Sequence, residues 1–162
     1  PKAIERIREI KASNRWMPAS LDLSIALDNS VANQTYNTPA LATLIMFDDQ
    51  LKWMNSNGGL PFAAGRSAES ARTLYSWAES REFATPFVKD LAQRSNVVGT
   101  IDIDGVDAND ICRVLRANGV VDTDSYRKLG RNQLRIGMFP AVEPDDVIRL
   151  TKCIDHVVGA LS

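Results

Sequence analysis

Tyr36-Asn37-Thr38-Pro39, running on into Ala40-Leu41-Ala42-Thr43-Leu44-Ile45-Met46, reads as a loop that turns directly into a helix. Thr38 can cap that helix, because its hydroxyl accepts a hydrogen bond from a first-turn N–H. Pro39 suits the first helical position, where a missing N–H costs nothing. The spacing predicts a helix over 39–57 through Leu41, Leu44, Ile45, Leu51 and Trp53, stopped by Gly58-Gly59. Local chemistry leaves two readings of its start. It is a plain capped helix, or it is an anion site, where free N–H groups, the positive end of the dipole and two polar side chains suit a phosphate.

On the N-terminal side, Ile4, Ile7 and Ile10 share one face of a predicted helix over 2–12, with charged residues elsewhere. A loop broken by Pro18 follows. Leu21, Leu23, Ile25 and Leu27 alternate with Asp22, Ser24 and Ala26, which predicts a short strand or an extended connection over 21–27. Residues 28–35 are polar and turn-like.

On the C-terminal side, Leu60-Pro61 opens a second helix, over 63–81, with Ala64, Ala68, Ala71, Leu74, Tyr75 and Ala78 at helical spacing. The pattern then changes to short extended pieces. They fall at 85–88, at 97–103 before a turn at Gly105, at Val120-Val121, and at 134–138. In the last of these Leu134, Ile136 and Met138 face one way, and Arg135 and Gly137 the other. Asp107 caps a helix whose inward face is Ile111, Val114 and Leu115 and which Gly119 closes. Pro144 opens a final helix bearing Val147, Ile148, Leu150, Ile154, Val157, Val158 and Leu161. This half reads as α/β, a small sheet with helices on one face.

Composition narrows the function classes. The 162 residues are 44% apolar and 24% charged, with a net charge of -1. No basic stripe appears, which argues against nucleic acid as a partner. No apolar run approaches the ~20 residues of a membrane span, and there is no signal pattern. Cys112 and Cys153 both fall in helical patterns and read as free, buried thiols of a reducing compartment. No metal-ligand spacing exists, and His156 is the single histidine.

Several motifs together carry a resemblance. They are Gln34-Thr35-Tyr36-Asn37-Thr38-Pro39-Ala40-Leu41-Ala42-Thr43, Trp53, Asn57-Gly58-Gly59-Leu60, Arg116-Ala117-Asn118-Gly119, Tyr126-Arg127-Lys128-Leu129-Gly130-Arg131-Asn132-Gln133-Leu134-Arg135 and Phe139-Pro140-Ala141. In this order the chain resembles the phosphoserine aminotransferases, fold-type I enzymes of the class V aminotransferases. The resemblance implies pyridoxal 5'-phosphate as cofactor, a cytoplasmic homodimer, and amino transfer from glutamate to 3-phosphohydroxypyruvate in serine biosynthesis. It further implies that residues 1–62 belong to the large cofactor domain and 63–162 to the small C-terminal domain. None of Lys2, Lys11, Lys52, Lys89, Lys128 and Lys152 stands in the family's Gly-Gln-Lys setting. The chain, beginning at Pro1, is therefore expected to be the C-terminal half of such an enzyme, starting just after the Schiff-base lysine and inactive alone.

Site residues follow from the same resemblance. Asn37 and Thr38 are expected to reach the pyridoxal phosphate of the partner subunit, in agreement with the anion site read from the helix start. Arg135, on the polar side of an apolar strand, is expected to hold the substrate α-carboxylate, for which its planar fork is suited. Arg127, Lys128 and Arg131 form a basic cluster before that strand. Many family members have a His-Arg pair and a Gly-Gly here, whereas this chain has Lys128, Leu129 and Asn132-Gln133. One or more of the three cations is expected to bind the substrate phosphate; the other reading is a solvated basic loop. That cluster speaks against a class V aminotransferase for an unphosphorylated substrate. A non-catalytic α/β binding or dimerisation module is the rival of a different class. Residues 1–60 speak against it, having no partner sheet within the chain.

Overall fold

Residues 2–161 are described here by a computed structural model. The chain divides into two compact units, Pro1–Lys52 and Trp53–Ser162, so the division falls inside a helix. Each unit is described by itself.

The first unit is helical. Helix α1 spans Lys2–Ala12, as its isoleucine spacing predicts. Helix α2 spans Leu23–Val31, where the alternating pattern had suggested extended chain. Asp22 explains the correction: its carboxylate accepts from the Ser24 N–H at 2.9 Å and from the Ser24 hydroxyl at 2.7 Å, an N-cap that starts a helix. Asn33 ends it in the left-handed region, with φ of 54°, while the Gln34 N–H reaches back to the Asn29 carbonyl. Helix α3 spans Leu41–Ser56 and leads into the second unit. It begins two residues later than predicted, its first bond running from the Leu44 N–H to the Ala40 carbonyl. Pro39 therefore precedes the cap and Thr38 is not the cap residue; a residue before proline is held in extended backbone. Ser24 is the one buried residue of α1 to α3 among the described residues.

The second unit holds the core. Gly58 and Gly59, with φ of 115° and 66°, turn the chain between α3 and helix α4, Gly59–Glu79. Pro61 lies in the first turn of α4, where proline is tolerated, so α4 starts a turn earlier than predicted. Strand β1 (Ala84–Pro86), strand β2 (Val98–Ile103) and strand β3 (Gln133–Gly137) make one antiparallel sheet in that order. Helix α5, Ala108–Ala117, connects β2 to β3, and helix α6, Pro144–Leu161, follows. Both ends of α5 form as read. Asp107 accepts from the Asn109 N–H, and Gly119, at φ of 86°, lets the Val120 N–H return to Leu115. No strand forms at Val120-Val121; instead Asp124 makes a lone bridge to Leu134.

One face of the sheet carries Gly99, Ile101, Ile103, Leu134 and Ile136, all buried against Leu74, Trp77, Ala78, Ile111, Leu115 and Ile154 of the helices. A Cβ at Gly99 would run into Leu74 Cδ2, so that buried side chain would have to shift. Around this core Trp77 Nε1 donates to Asp155, which also holds Arg81 in a two-point ion pair. Cys112 is buried as expected, but Cys153 is exposed, because it lies on the outer side of α6. Leu74 is fully buried, so Leu74→Ala should destabilise this unit by about 2–5 kcal/mol. Urea unfolding followed by circular dichroism measures this; a loss below ~1 kcal/mol would mean the core is not packed as described.

Candidate anion-binding cleft

Arg135 is presented by the ladder between β2 and β3. Register pairs Ile101 with Leu134 and Thr100 with Arg135, so alternation buries the first pair and turns the second to the open face. The Arg135 N–H is fixed by the Thr123 carbonyl at 3.0 Å. The loop from Asp122 to Lys128 folds beside it. Together they wall a cleft of about 760 Å³ lined by Arg116, Asp122, Asp124, Tyr126, Arg127, Lys128 and Arg135. Three of the cations predicted from sequence are thus brought to one place.

Their pairing differs in a way that matters. Among the described residues, Arg127, Lys128 and Arg135 have no carboxylate partner. Arg116, which sequence reading noted only within a motif, also lines the cleft, held by Asp124 at 2.9 Å and Asp122 at 4.0 Å. No local signal could have placed it, since its neighbours come from a loop that follows its own helix. A cleft with three unpaired cations and one braced arginine suits a ligand with more than one anionic group.

Arg131 stands apart. It does not line this cleft but a neighbouring hollow with Arg127 and Asn132. Its guanidinium engages Asp102 through Nε at 3.1 Å and Nη2 at 2.9 Å. Asp102 is half-buried: desolvation pushes its carboxyl upward, but hydrogen bonds from Arg131 and Gln133 outweigh this and hold it below the ordinary range. Burial raises the Cys112 thiol, with the Thr123 hydroxyl opposing the shift. His156 is exposed on α6. Among the described residues no group of three or more potential metal ligands occurs, and no helix is long and apolar enough to cross a membrane.

Asn37 and Thr38 lie in the first unit, both exposed, in the irregular stretch before α3. The first-turn N–H groups of α3 point the same way along the axis as those of any helix start, toward this stretch. Two polar side chains and free N–H groups are a donor set that fits a phosphate.

The architecture is shared with the C-terminal part of several solved aminotransferases. It superposes on a phosphoserine aminotransferase from Cytophaga hutchinsonii with a TM-score of 0.82 and 19% identity, covering 94% of this chain and 42% of that one. The corresponding values for the enzyme of Bacillus circulans subsp. alkalophilus are 0.78, 22%, 90% and 39%. An aspartate aminotransferase from Thermus thermophilus gives 0.67 and 17%, over 91% of this chain and 41% of that one. At such identities the likeness defines the fold alone.

In sequence the chain is similar to phosphoserine aminotransferases. The chain is 61% identical over 162 residues to the one from Rhodococcus jostii (strain RHA1), and 60% identical to that of Rhodococcus opacus (strain B4). In both cases 99% of this chain and 43% of the relative are covered, so the chain spans less than half the length of the curated relatives it matches. No protein-family model matches it.

The Asp102 pair has a defined pH signature. A carboxyl depressed in the folded state stabilises fully above its unfolded value, and that contribution is lost as pH falls through the folded one. Asp102→Asn should therefore lower stability by a constant amount above about pH 5, with the difference shrinking as pH falls below the ordinary carboxylate range. Urea midpoints across that range test this, and a difference independent of pH would show that Asp102 is not held low.

Proposed function

We propose that this chain is the C-terminal part of a phosphoserine aminotransferase that moves an amino group between glutamate and 3-phosphohydroxypyruvate, giving 3-phosphoserine and 2-oxoglutarate. The observation that carries the reading is the cleft in which Arg127, Lys128 and Arg135 meet without carboxylate partners, in a chain so similar along its length to phosphoserine aminotransferases. In it, residues 1–62 are part of the large cofactor domain and 63–162 form the small domain.

The substrate carries two anionic ends, and the cleft offers two kinds of cation. Arg135 sits on a strand, held by a ladder on one side and by Thr123 on the other. A rigid planar fork there binds the α-carboxylate at two points and fixes the direction of the carbon next to it. Arg127 and Lys128 stand in the loop, exposed, where a dianionic phosphate is reached with little desolvation. An unphosphorylated substrate would leave these two without a partner. Arg116 is balanced by Asp124 and Asp122, so it braces the cleft wall without adding net positive charge.

Asn37 and Thr38 are assigned to the phosphate of pyridoxal phosphate, held across the interface of a homodimer. The donor set fits the group: neutral amide and hydroxyl donors at a helix start bind a dianion without adding a full charge. When bound, the cofactor supplies the electron sink for amino transfer. No lysine of this chain is assigned to carry it. The exposed apolar side chains of α3, Leu41, Leu44, Ile45, Met46, Phe47 and Leu51, support a covering polypeptide surface.

In the complete protein, Arg135→Lys should lower kcat/KM at least about 100-fold, because a point charge cannot reproduce the two-point grip. Asn37→Ala and Thr38→Ala should each weaken cofactor binding about tenfold in equilibrium titration. Unchanged kcat/KM in Arg135→Lys would overturn the carboxylate assignment. Unchanged cofactor affinity in both others would overturn the phosphate assignment.

A further inference from the structure

We infer that Arg131 is a positioning residue: its ion pair with Asp102 sets the loop that carries Arg127 and Lys128, and so tunes the site for a substrate bearing a phosphate. This deepens the function proposed above and rests on it. The Arg131 guanidinium is committed on two sides. Its Nε and Nη2 meet the two oxygens of Asp102 at 3.1 and 2.9 Å, and its plane lies over Phe87, 5.0 Å from the ring centroid. Asp102 is itself fixed by Gln133, whose Nε2 donates at 2.7 Å and whose side chain is 2% exposed.

The residue between them extends the anchor. Asn132 Nδ2 donates to the carbonyls of Ile103 and Val106, both at 2.8 Å, and its Oδ1 accepts from the Ala108 N–H at 2.7 Å. Arg131, Asn132 and Gln133 therefore pin the end of the loop to β2 and to the start of α5. The loop's beginning is pinned as well, by the Asp124 bridge to Leu134 and by the Arg135 N–H on Thr123. Arg127 and Lys128 stand between the two anchors. Arg131 lies outside their cleft, with the donors that would grip a phosphate already on Asp102. The side chains of Asn132 and Gln133, standing where the resemblance leads one to expect Gly-Gly, are the ones that make the second anchor.

The test uses the complete, cofactor-loaded protein and compares KM for 3-phosphohydroxypyruvate with KM for hydroxypyruvate. Arg131→Lys and Asp102→Asn should each raise the first about tenfold, leaving the second and kcat within about twofold. The double variant should be no worse than either single, as for two halves of one device. Should Asp102→Asn leave KM for the phosphorylated substrate unchanged or lower it while Arg131→Lys raises it, Arg131 is a direct ligand and the positioning role is overturned. Equal losses on both substrates would overturn it too, as a merely structural effect. Arg127→Ala and Lys128→Ala serve as controls. If these shift both substrates alike, the phosphate reading itself fails, whereas if they discriminate and the Asp102 and Arg131 variants do not, only the positioning role fails. Phe87→Leu, which removes the stacking alone, covers the case in which Asp102→Asn does not fold. It should raise only the phosphorylated substrate's KM, by about threefold, and no rise would overturn the proposal.

Discussion

The pairing of β2 with β3 is the constraint on which the rest of the second unit depends. Side chains on a strand alternate with a period of two, so one choice of register decides both what is buried and what is presented. With Ile101 opposite Leu134, the apolar set faces α4, α5 and α6, and Arg135 is turned out. A slip of one residue would drive the guanidinium into the core and push Leu134 and Ile136 into water. Burying an unpaired charge costs several kcal/mol on its own. The core therefore holds Arg135 in place, although none of its residues lines the cleft that Arg135 faces. Gly99 lies at the same ladder, opposite Ile136, and lets α4 close on the sheet.

Charge placement in the same unit follows one habit with an exception. Arg66, Arg81, Arg94, Arg113, Arg116, Arg131 and Arg149 each hold a carboxylate. Among the described residues of that unit Arg127, Arg135 and Arg72 hold none, and Arg72 stands exposed on α4. Two unpaired arginines and a lysine in one cleft repel one another, and the two carboxylates that share the lining, Asp122 and Asp124, are engaged by Arg116. Stability alone gives no reason for the arrangement. The function proposed above supplies one: a ligand with two anionic ends accounts for cations on both a strand and a loop.

Much of this was legible in the sequence where signals were local. Asp107 and Gly119 bracket α5 because a cap and a left-handed turn need only neighbours, and the alternation of Leu134, Arg135 and Ile136 told both the strand and its outward arginine. The failures have physical causes too. Over 21–27 the apolar alternation competed with one cap, and Asp22 won, because the hydrogen bonds it makes to Ser24 need no partner strand. Val120-Val121 has strand-forming side chains but no free edge to pair with, since Asp124 makes the bridge. Arg127, Lys128 and Arg135, singled out from sequence, line one cleft, whereas the commitment of Arg131 was not foreseen, its partner Asp102 lying 29 positions away. Arg116 stayed hidden although its partner Asp124 lies only 8 positions on, because the loop between them has no periodicity from which its path could be read.

The first unit shows what a sequence looks like when its burial lies elsewhere. Helix α3 has no buried residue, and Ile45 is 68% exposed among several other large apolar side chains. Burying each such side chain is worth about 1.5–3 kcal/mol. Six of them together reach on the order of 10 kcal/mol, as much as the net stability of a whole domain. That free energy is available only to a structure in which further polypeptide covers the helix. Asn37 and Thr38 stand at the head of this helix, in backbone that Pro39 restricts but that no side-chain cap secures. Their geometry is then set by whatever covers α3. If Asn37 and Thr38 hold a phosphate as proposed above, that site is ordered by assembly, and cofactor affinity and assembly become two readings of one equilibrium.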